Sequence, residues 1–306
     1  MKPLRFAALG DSLTEGVGDP VGGGWRGWAA LLSEGLAPAE VPVEFRNFAA
    51  SGAQTSDVFA RQLPRALAFT PDVASVVVGV NDTLRAGFDI HAVADRLDSV
   101  YGAFAERGTV LLTACLPDPG ALLGLPGALA RPLARRQRAV NSVVHALSER
   151  HGAVHLHAAD GDWAADRALW SADRLHPGEQ GHRQFAARFH AVLAATGEAR
   201  GPAPGVEPER PAPTRAAGLW WLATAGTGWV VRRCVDLLPQ LLALAADEVR
   251  HEMRGTGARL DLRTSAGVAA ALDSVSGLEV PPRACDHVTG VAGAAPVTSQ
   301  PCEVRP

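Results

Sequence analysis

Five short apolar runs mark the first two thirds of the chain, and stretches of helical periodicity separate them. The apolar runs have the length of buried strands and lie at residues 4–9, 43–48, 73–80, 109–115 and 153–157. The stretches with helical periodicity lie at residues 28–36, 57–69, 90–107, 133–151 and 178–195. Strands that alternate with helices pair in parallel and are covered on both faces, so the pattern predicts an α/β fold with such a sheet.

The pattern changes near residue 197, where glycine, proline, glutamate and arginine replace the alternating elements. Five prolines between residues 202 and 213 prevent regular structure in this stretch. We therefore predict four parts. They are a first domain at residues 1–198, a proline-rich linker at 199–214, a helical segment rich in tryptophan and leucine at 215–254, and a poorly ordered tail at 255–306.

The helical segment contains an uncharged run at residues 216–231 that includes Trp220, Trp221 and Trp229. A membrane-spanning helix needs about 20 apolar residues, so this run is too short to span a bilayer. Three roles remain open for residues 216–246. The segment forms two helices that pack back onto the first domain, attaches peripherally to a membrane, or mediates self-association of the chain.

A candidate nucleophile follows the first predicted strand, where the chain breaks at Gly10 and continues through Asp11 to Ser12. A serine hydroxyl attacks an acyl carbon only when a base removes its proton, and that base must be oriented by an acid. Asp173 and His176 lie three residues apart and offer such a pair. Within one turn their side chains can meet, which leaves the second imidazole nitrogen available to a serine.

Two further residues are candidate hydrogen-bond donors for the oxyanion that forms during acyl transfer. Gly52 follows the second predicted strand, where a glycine lets a backbone N–H approach a ligand closely. Asn81 follows the third predicted strand and offers a side-chain amide. Because the carboxyl ends of parallel strands share one edge of the sheet, we expect Ser12, Gly52 and Asn81 to converge there.

Together, the segment Gly10-Asp11-Ser12-Leu13, Gly52, the segment Gly79-Val80-Asn81-Asp82 and the pair Asp173 and His176 resemble the SGNH hydrolases, also called the GDSL esterase and lipase superfamily. The four blocks occur in the family's order across the first two thirds of the chain. The Gly-x-Ser-x-Gly pentapeptide of the α/β-hydrolases is absent from the sequence.

This resemblance implies a flavodoxin-like three-layer α/β/α sandwich, in which the five apolar runs form a five-stranded parallel sheet. The helical segment at residues 215–254 adds a C-terminal helical extension to that fold. The resemblance also implies a carboxylic ester hydrolase of the esterase or lipase type that acts without a cofactor. Ser12 is then the nucleophile, His176 the base and Asp173 its orienting acid. The backbone N–H groups of Ser12 and Gly52 and the amide of Asn81 are then the oxyanion hole.

Composition excludes other classes of function. The formal net charge is −3 and 20% of the residues are charged, so the chain offers no case for nucleic-acid binding. Lys2 is the only lysine, so the chain contains no P-loop and is not a nucleotide triphosphatase. The partner that the family resemblance implies is a small-molecule ester.

Cysteine and histidine spacing predicts neither disulfides nor a metal site. Four cysteines occur without metal-ligand spacing, and no signal peptide is recognisable, so we expect a cytoplasmic protein with reduced thiols. His155 and His157 alternate near Asp160 and Asp162, but spacing fixes no third ligand, and we predict no metal there.

Two alternatives to ester hydrolysis remain open at this point. An acyltransferase would use the same residues with an acceptor alcohol in place of water. A non-catalytic binding protein could keep the fold and use another surface, because a fold does not by itself determine chemistry.

Overall fold

The computed structural model describes residues 2–159, 162–210 and 227–277, and a parallel sheet lies at its centre. The strands are β1 (Leu4–Gly10), β2 (Pro20–Val21), β3 (Gly24–Trp25), β4 (Val43–Asn47), β5 (Val73–Val77), β6 (Val110–Cys115) and β7 (Val154–His157). Five of them form the main sheet in the order β4-β1-β5-β6-β7, and every pair is parallel. β2 and β3 form a separate antiparallel hairpin. The predicted five-stranded parallel sheet is confirmed.

Helices cover both faces of the main sheet. They are α1 (Ser12–Glu15), α2 (Gly27–Gly35), α3 (Thr55–Asp57), α4 (Leu63–Phe69), α5 (Val80–Thr83), α6 (Ile90–Ala105), α7 (Pro119–Leu122), α8 (Gly127–Arg150), α9 (Glu179–Ala195), α10 (Thr227–Met253) and α11 (Gly257–Ser276). A π-helical turn, Val58–Gln62, joins α3 to α4. The three-layer sandwich with C-terminal helices is therefore also confirmed.

The alternation of side chains along β1 explains the two cores. Phe6 and Ala8 are fully buried against α2 and α9, where Trp28 packs on two phenylalanines of α9. Ala7 and Leu9 are fully buried on the opposite face, against α4, α6 and α8. Burial of each large apolar side chain contributes about 1.5–3 kcal/mol, so both faces of the sheet stabilise the fold.

The C-terminal helices correct the prediction of a poorly ordered tail for residues 257–276. α11 packs against α6 and α8, and its Ala271 and Val275 are buried in the core that these helices share. Their spacing of four residues places both on one helix face. This spacing indicates a helix, but the alanine-rich composition of the segment made it hard to recognise in the sequence. Residues 211–226 and 278–306 lie outside the described residues. Within the described part of the chain, no helix combines the length and apolarity that crossing a membrane requires.

Ion pairs attach α10 and α11 to α8. Arg131 and Arg135 of α8 both pair with Glu248 of α10, and Arg135 also pairs with Asp261 of α11. Glu248 is buried, which opposes its ionisation, but the two guanidinium groups outweigh this and lower its pKa. The sequence alone suggests that this arginine-rich stretch is a solvated helix face. That interpretation is wrong for Arg135, because the carboxylates of Glu248 and Asp261 cover it, whereas Arg131 remains exposed.

The segment at residues 199–210 follows the surface of the first domain. The backbone N–H groups of Arg200 and Gly201 donate to carbonyl oxygens at the end of α2, at 3.1 Å each. Further along, Arg210 pairs with Asp19 and Glu179. These contacts fix the described part of the linker against the α2 and α9 layer.

Candidate active site

The site begins where β1 ends and α1 begins. Gly10 adopts φ 150°, and a Cβ there would lie 2.2 Å from the carbonyl oxygen of Val77 on β5, so only glycine fits. Asp11 caps α1 by accepting from the N–H of Leu13 at 3.1 Å. The sharp turn places Ser12 at the first helical position, in the cleft at the carboxyl edge of the sheet.

Gln62 holds the end of β1 in place. Its Oε1 accepts from the N–H of Gly10 and its Nε2 donates to the Gly10 carbonyl, both at 2.8 Å. The side chain is buried and lies in the π-helical turn before α4. It therefore pairs with the backbone two residues before Ser12 as a neighbouring strand would. Sequence analysis missed this residue, because a π-helical turn has no recognisable sequence signal.

Ser12, His176 and Asp173 form one hydrogen-bonded chain. The Oγ of Ser12 lies 2.7 Å from Nε2 of His176, although 164 residues separate them in sequence. Nδ1 of His176 lies 2.6 Å from Oδ2 of Asp173. Both distances are those of direct hydrogen bonds. The structure thus brings the three predicted residues together, with His176 between Ser12 and Asp173.

Asp173 is held in its ionised form. Burial opposes ionisation, but hydrogen bonds from the His176 ring and from the N–H groups of Leu175 and His176 outweigh it and lower the pKa of Asp173 to about 2. The hydroxyl of Ser171 donates to the same carboxylate at 2.7 Å. Arg174 adopts φ 58° between acid and base, and this left-handed residue closes the turn. An acceptor fixed in this way selects the imidazole tautomer that carries its proton on Nδ1.

Asn81 and Gly52, the other two predicted site residues, lie in neighbouring segments. Asn81 is buried and lines the same cleft, and its Nδ2 donates to Oδ2 of Asp11 at 3.2 Å and to the carbonyl of Ala53 at 3.1 Å. Gly52 lies in the adjacent turn after β4, with φ 82°. The residue after it, Ala53, supplies the carbonyl that Asn81 contacts. The structure therefore brings Asn81 into the cleft, whereas Gly52 is not among the residues that line it.

Comparisons with known proteins identify the family of the chain. The sequence model of the GDSL-like lipase/acylhydrolase family matches residues 8–184, more than half of the chain. The chain belongs to this GDSL-like family. Membership makes it a carboxylic ester hydrolase, as predicted from the sequence. None of the curated proteins matches the chain at a significant level.

Solved structures of hydrolases share the fold of this GDSL family member. A variant of Axe2, an acetyl xylan esterase from Geobacillus stearothermophilus, is 20% identical with a TM-score of 0.52, over 65% of this chain and 97% of that chain. LAE5, an alpha/beta hydrolase enzyme from the metagenome of Lake Arreo, is 22% identical with a TM-score of 0.50, over 63% and 95%. The psychrotrophic esterase EstA from Pseudoalteromonas sp. is 18% identical with a TM-score of 0.50, over 63% and 97%.

The cleft beside Ser12 in this GDSL hydrolase is mostly apolar. Its lining includes Leu84, Leu116, Pro119, Leu122, Trp163 and Trp170. The two tryptophan rings stack with their centroids 5.2 Å apart. These side chains come from the segments after β5, β6 and β7, the carboxyl edge at which parallel sheets bind ligands.

Asp11 carries a perturbed carboxyl group inside the site. Burial raises its pKa to about 6, against the opposing effects of the Leu13 N–H and the Asn81 amide. Asp11 caps α1 and contacts Asn81, so it braces the turn that carries Ser12. Asp173, and not Asp11, is the carboxylate that contacts the His176 ring directly.

His182 supports the site from α9. The N–H of Trp28 donates to its Nδ1 at 3.2 Å, and its Nε2 lies 3.0 Å from the carbonyl of Val17, which therefore accepts the ring proton. The ring is completely buried, and burial lowers the pKa of His182 to about 4. This neutral imidazole joins the loop after α1 to α2.

We expect His182 to make the stability of the fold depend on pH. An unfolded histidine titrates near pH 6.5, so between pH 6.5 and 4 the unfolded state binds more protons than the folded state. The free energy of unfolding then falls as the pH falls through this window, by about 3 kcal/mol in total. Urea denaturation of the wild type and His182→Gln at pH 7 and pH 4 isolates this contribution. The stability difference between the two proteins shrinks by that amount at pH 4, whereas a constant difference would contradict a neutral buried ring.

Proposed function

We propose that this chain hydrolyses carboxylic esters through a covalent acyl-enzyme on Ser12. His176 Nε2 removes the hydroxyl proton as Oγ attacks the carbonyl carbon, and the imidazolium then protonates the leaving alcohol. Water, activated by the same ring, attacks the acyl-enzyme and releases the acid and Ser12. The single observation that carries the proposal is the continuous chain from Ser12 through His176 to Asp173, with links of 2.7 and 2.6 Å.

A fluorophosphonate probe tests the nucleophile directly. The probe phosphonylates a serine only where a base activates the hydroxyl, so peptide mass spectrometry should locate the label on Ser12. His176→Ala should abolish the labelling because the base is removed. The exposed Ser51 is an internal control and should stay unmodified. Labelling elsewhere, or labelling that survives His176→Ala, would contradict the proposal.

The oxyanion hole follows from the same arrangement. The backbone N–H of Ser12 is at the first position of α1, where no intrahelical partner exists. The Asn81 amide lines the cleft beside Ser12. Its Nδ2 donates to Asp11 at 3.2 Å in the free protein, and it donates to the oxyanion instead as negative charge develops there. The N–H of Gly52 is the third proposed donor.

We expect Asn81→Ala to lower kcat by about 100- to 1000-fold, the usual cost of losing one oxyanion donor. KM should change little, because the donor acts on the oxyanion more than on the ester carbonyl. Asn47→Ala is the matched control, since it removes an amide that donates to the Thr14 carbonyl at 2.8 Å. Equal losses in both variants would assign Asn81 a structural role instead.

The apolar cleft indicates that the acyl group is longer than acetyl. Each methylene group buried in the cleft contributes up to about 0.8 kcal/mol, so kcat/KM should rise about tenfold from the p-nitrophenyl acetate to the butyrate ester. Leu122→Asp should remove this gain and leave acetate hydrolysis nearly unchanged, because leucine at this position lines the cleft. An equal rate for both esters in the wild type would contradict a chain-binding role for the cleft.

A further inference from the structure

Four soft or borderline metal-ligand side chains meet where β6 and β7 end, beneath α8. We call Cys115, His145, His155 and His157 the Cys-His cluster. Cys115 and His157 are register partners on the neighbouring parallel strands. His155 precedes His157 by two residues, so the two strand imidazoles project from the same face of the sheet as Cys115. α8 covers this face and contributes His145.

The ligand atoms of three members of the Cys-His cluster lie close together, and the ring of the fourth member, His145, packs against two of them. One ligand atom each from Cys115, His155 and His157 lies within 4.8 Å of the other two. The ring of His145 has its centroid 4.7 Å from that of His155 and 4.6 Å from that of His157. Residue spacing in the sequence does not identify a third ligand to join His155 and His157. The parallel pairing of β6 with β7 supplies Cys115, and α8 supplies His145.

A chain of hydrogen bonds determines which nitrogen of His155 carries the proton. The hydroxyl of Ser148 donates to the carbonyl of Val144 at 2.5 Å, so its oxygen accepts from Thr113 at 2.6 Å. Thr113 has then used its only proton, and its oxygen accepts from Nδ1 of His155 at 2.9 Å. The neutral ring therefore presents a lone pair on Nε2. Metal-binding histidines are commonly oriented in this way, by donating the other ring N–H to an oxygen.

We propose that the Cys-His cluster binds one zinc ion. A thiolate with imidazoles is a donor set that zinc prefers in tetrahedral sites, with about 2.3 Å to sulfur and about 2.0–2.1 Å to nitrogen. Carboxylate oxygens, which calcium and magnesium require, are not members of the cluster. Side-chain rotations must draw the ligand atoms of Cys115, His155 and His157 together from separations of up to 4.8 Å to reach these bond lengths. His145 and His157 are exposed and give the ion an entry path, while Cys115 is buried.

Zinc in this position would join three elements that meet beside the cleft. It links the ends of β6 and β7 to each other and both strands to α8. Leu116 directly follows Cys115 and lines the cleft, and Trp163 lies on the segment that follows β7. Ser12, Asp173 and His176 are not members of the cluster, so ester cleavage proceeds without the ion. Its effect is to stabilise the folded state that binds it.

Cobalt(II) detects metal binding at the Cys-His cluster, because the bond between cobalt(II) and a thiolate gives an intense charge-transfer absorption. The full-length chain is treated with a chelator, dialysed and titrated with cobalt(II), then with zinc(II), at neutral pH. The starting protein is the Cys234→Ser, Cys285→Ser, Cys302→Ser variant, in which Cys115 is the only thiol. We expect one equivalent to bind with a thiolate band that zinc displaces. Adding Cys115→Ser should abolish the band.

The histidine ligands and the oriented imidazole are tested by affinity. His157→Ala should weaken zinc binding at least tenfold, and Thr113→Val should weaken it about tenfold because it releases the His155 ring. His91→Ala, an exposed histidine on α6, should leave affinity unchanged. At one zinc concentration, the ion should raise the melting temperature of the wild type by more than that of His157→Ala. Absence of binding, or binding of equal strength after Cys115→Ser and His157→Ala, would overturn the proposal, whether or not the esterase is active.

Discussion

Ser12→Ala is expected to lower kcat/KM for p-nitrophenyl butyrate by about a million-fold, the loss that accompanies removal of a nucleophile acting as part of a triad. Without Oγ no acyl-enzyme forms, and His176 can only assist direct attack by water. The oxyanion donors remain, so a residual rate above that of buffer persists. The measurement is initial-rate hydrolysis by protein expressed separately from the wild type, so that contamination does not set the floor.

The fold of this variant should be unaffected, which separates loss of chemistry from loss of structure. Asp11, not Ser12, caps α1 through the N–H of Leu13, so the cap survives the substitution. The melting temperature should therefore stay close to that of the wild type. Ser51→Ala removes a hydroxyl that contacts Glu15 at the neighbouring turn and serves as control. A Ser12→Ala rate above 1% of the wild-type rate would remove this serine from the mechanism.

Sequence patterns located the main strands because parallel strands buried on both faces are continuous apolar runs. The third run was predicted to extend to residue 80, but β5 ends at Val77. Gly79 adopts φ 127°, and a Cβ there would lie 2.7 Å from the side chain of Val140, so the chain turns and α5 begins at Val80. This turn brings Asn81 into the cleft. The predicted strand was therefore too long at its carboxyl end, where Gly79 makes the turn that shapes the site.

The sequence allowed some residues of the candidate site to be predicted and others not. Asp173 and His176 are close in sequence, so their contact was foreseeable from a single turn. The approach of Ser12 followed from the rule that strand ends share one edge, together with the family resemblance. Gln62 was not foreseeable, because its two bonds to Gly10 depend on a π-helical turn. The contact between Cys115 and His157 was not foreseeable either, because it depends on the order and register of the strands.

Asp173→Asn is expected to lower kcat/KM by about ten-thousand-fold near neutral pH, although the site keeps its shape. The wild-type carboxylate accepts the proton of Nδ1, which leaves the lone pair on Nε2 facing Ser12. An asparagine amide donates at that position, so the imidazole places its proton on Nε2 and can no longer accept one from the hydroxyl. The asparagine carbonyl oxygen can still accept from Ser171 and from the N–H groups of Leu175 and His176. The turn is therefore retained.

Asp166→Asn provides the matched control for this prediction. Asp166 lies on the same segment and accepts from the N–H of Ala168 at 3.0 Å, but it does not contact the imidazole. Its substitution should change kcat/KM by less than about threefold, within the range of ordinary surface substitutions. Fluorophosphonate labelling should slow in Asp173→Asn in proportion to kcat/KM, because both reactions need the same lone pair on His176. If the Asp173→Asn enzyme keeps more than a tenth of the wild-type rate, the Asp173 carboxylate does not determine the tautomer of His176 that the attack by Ser12 requires.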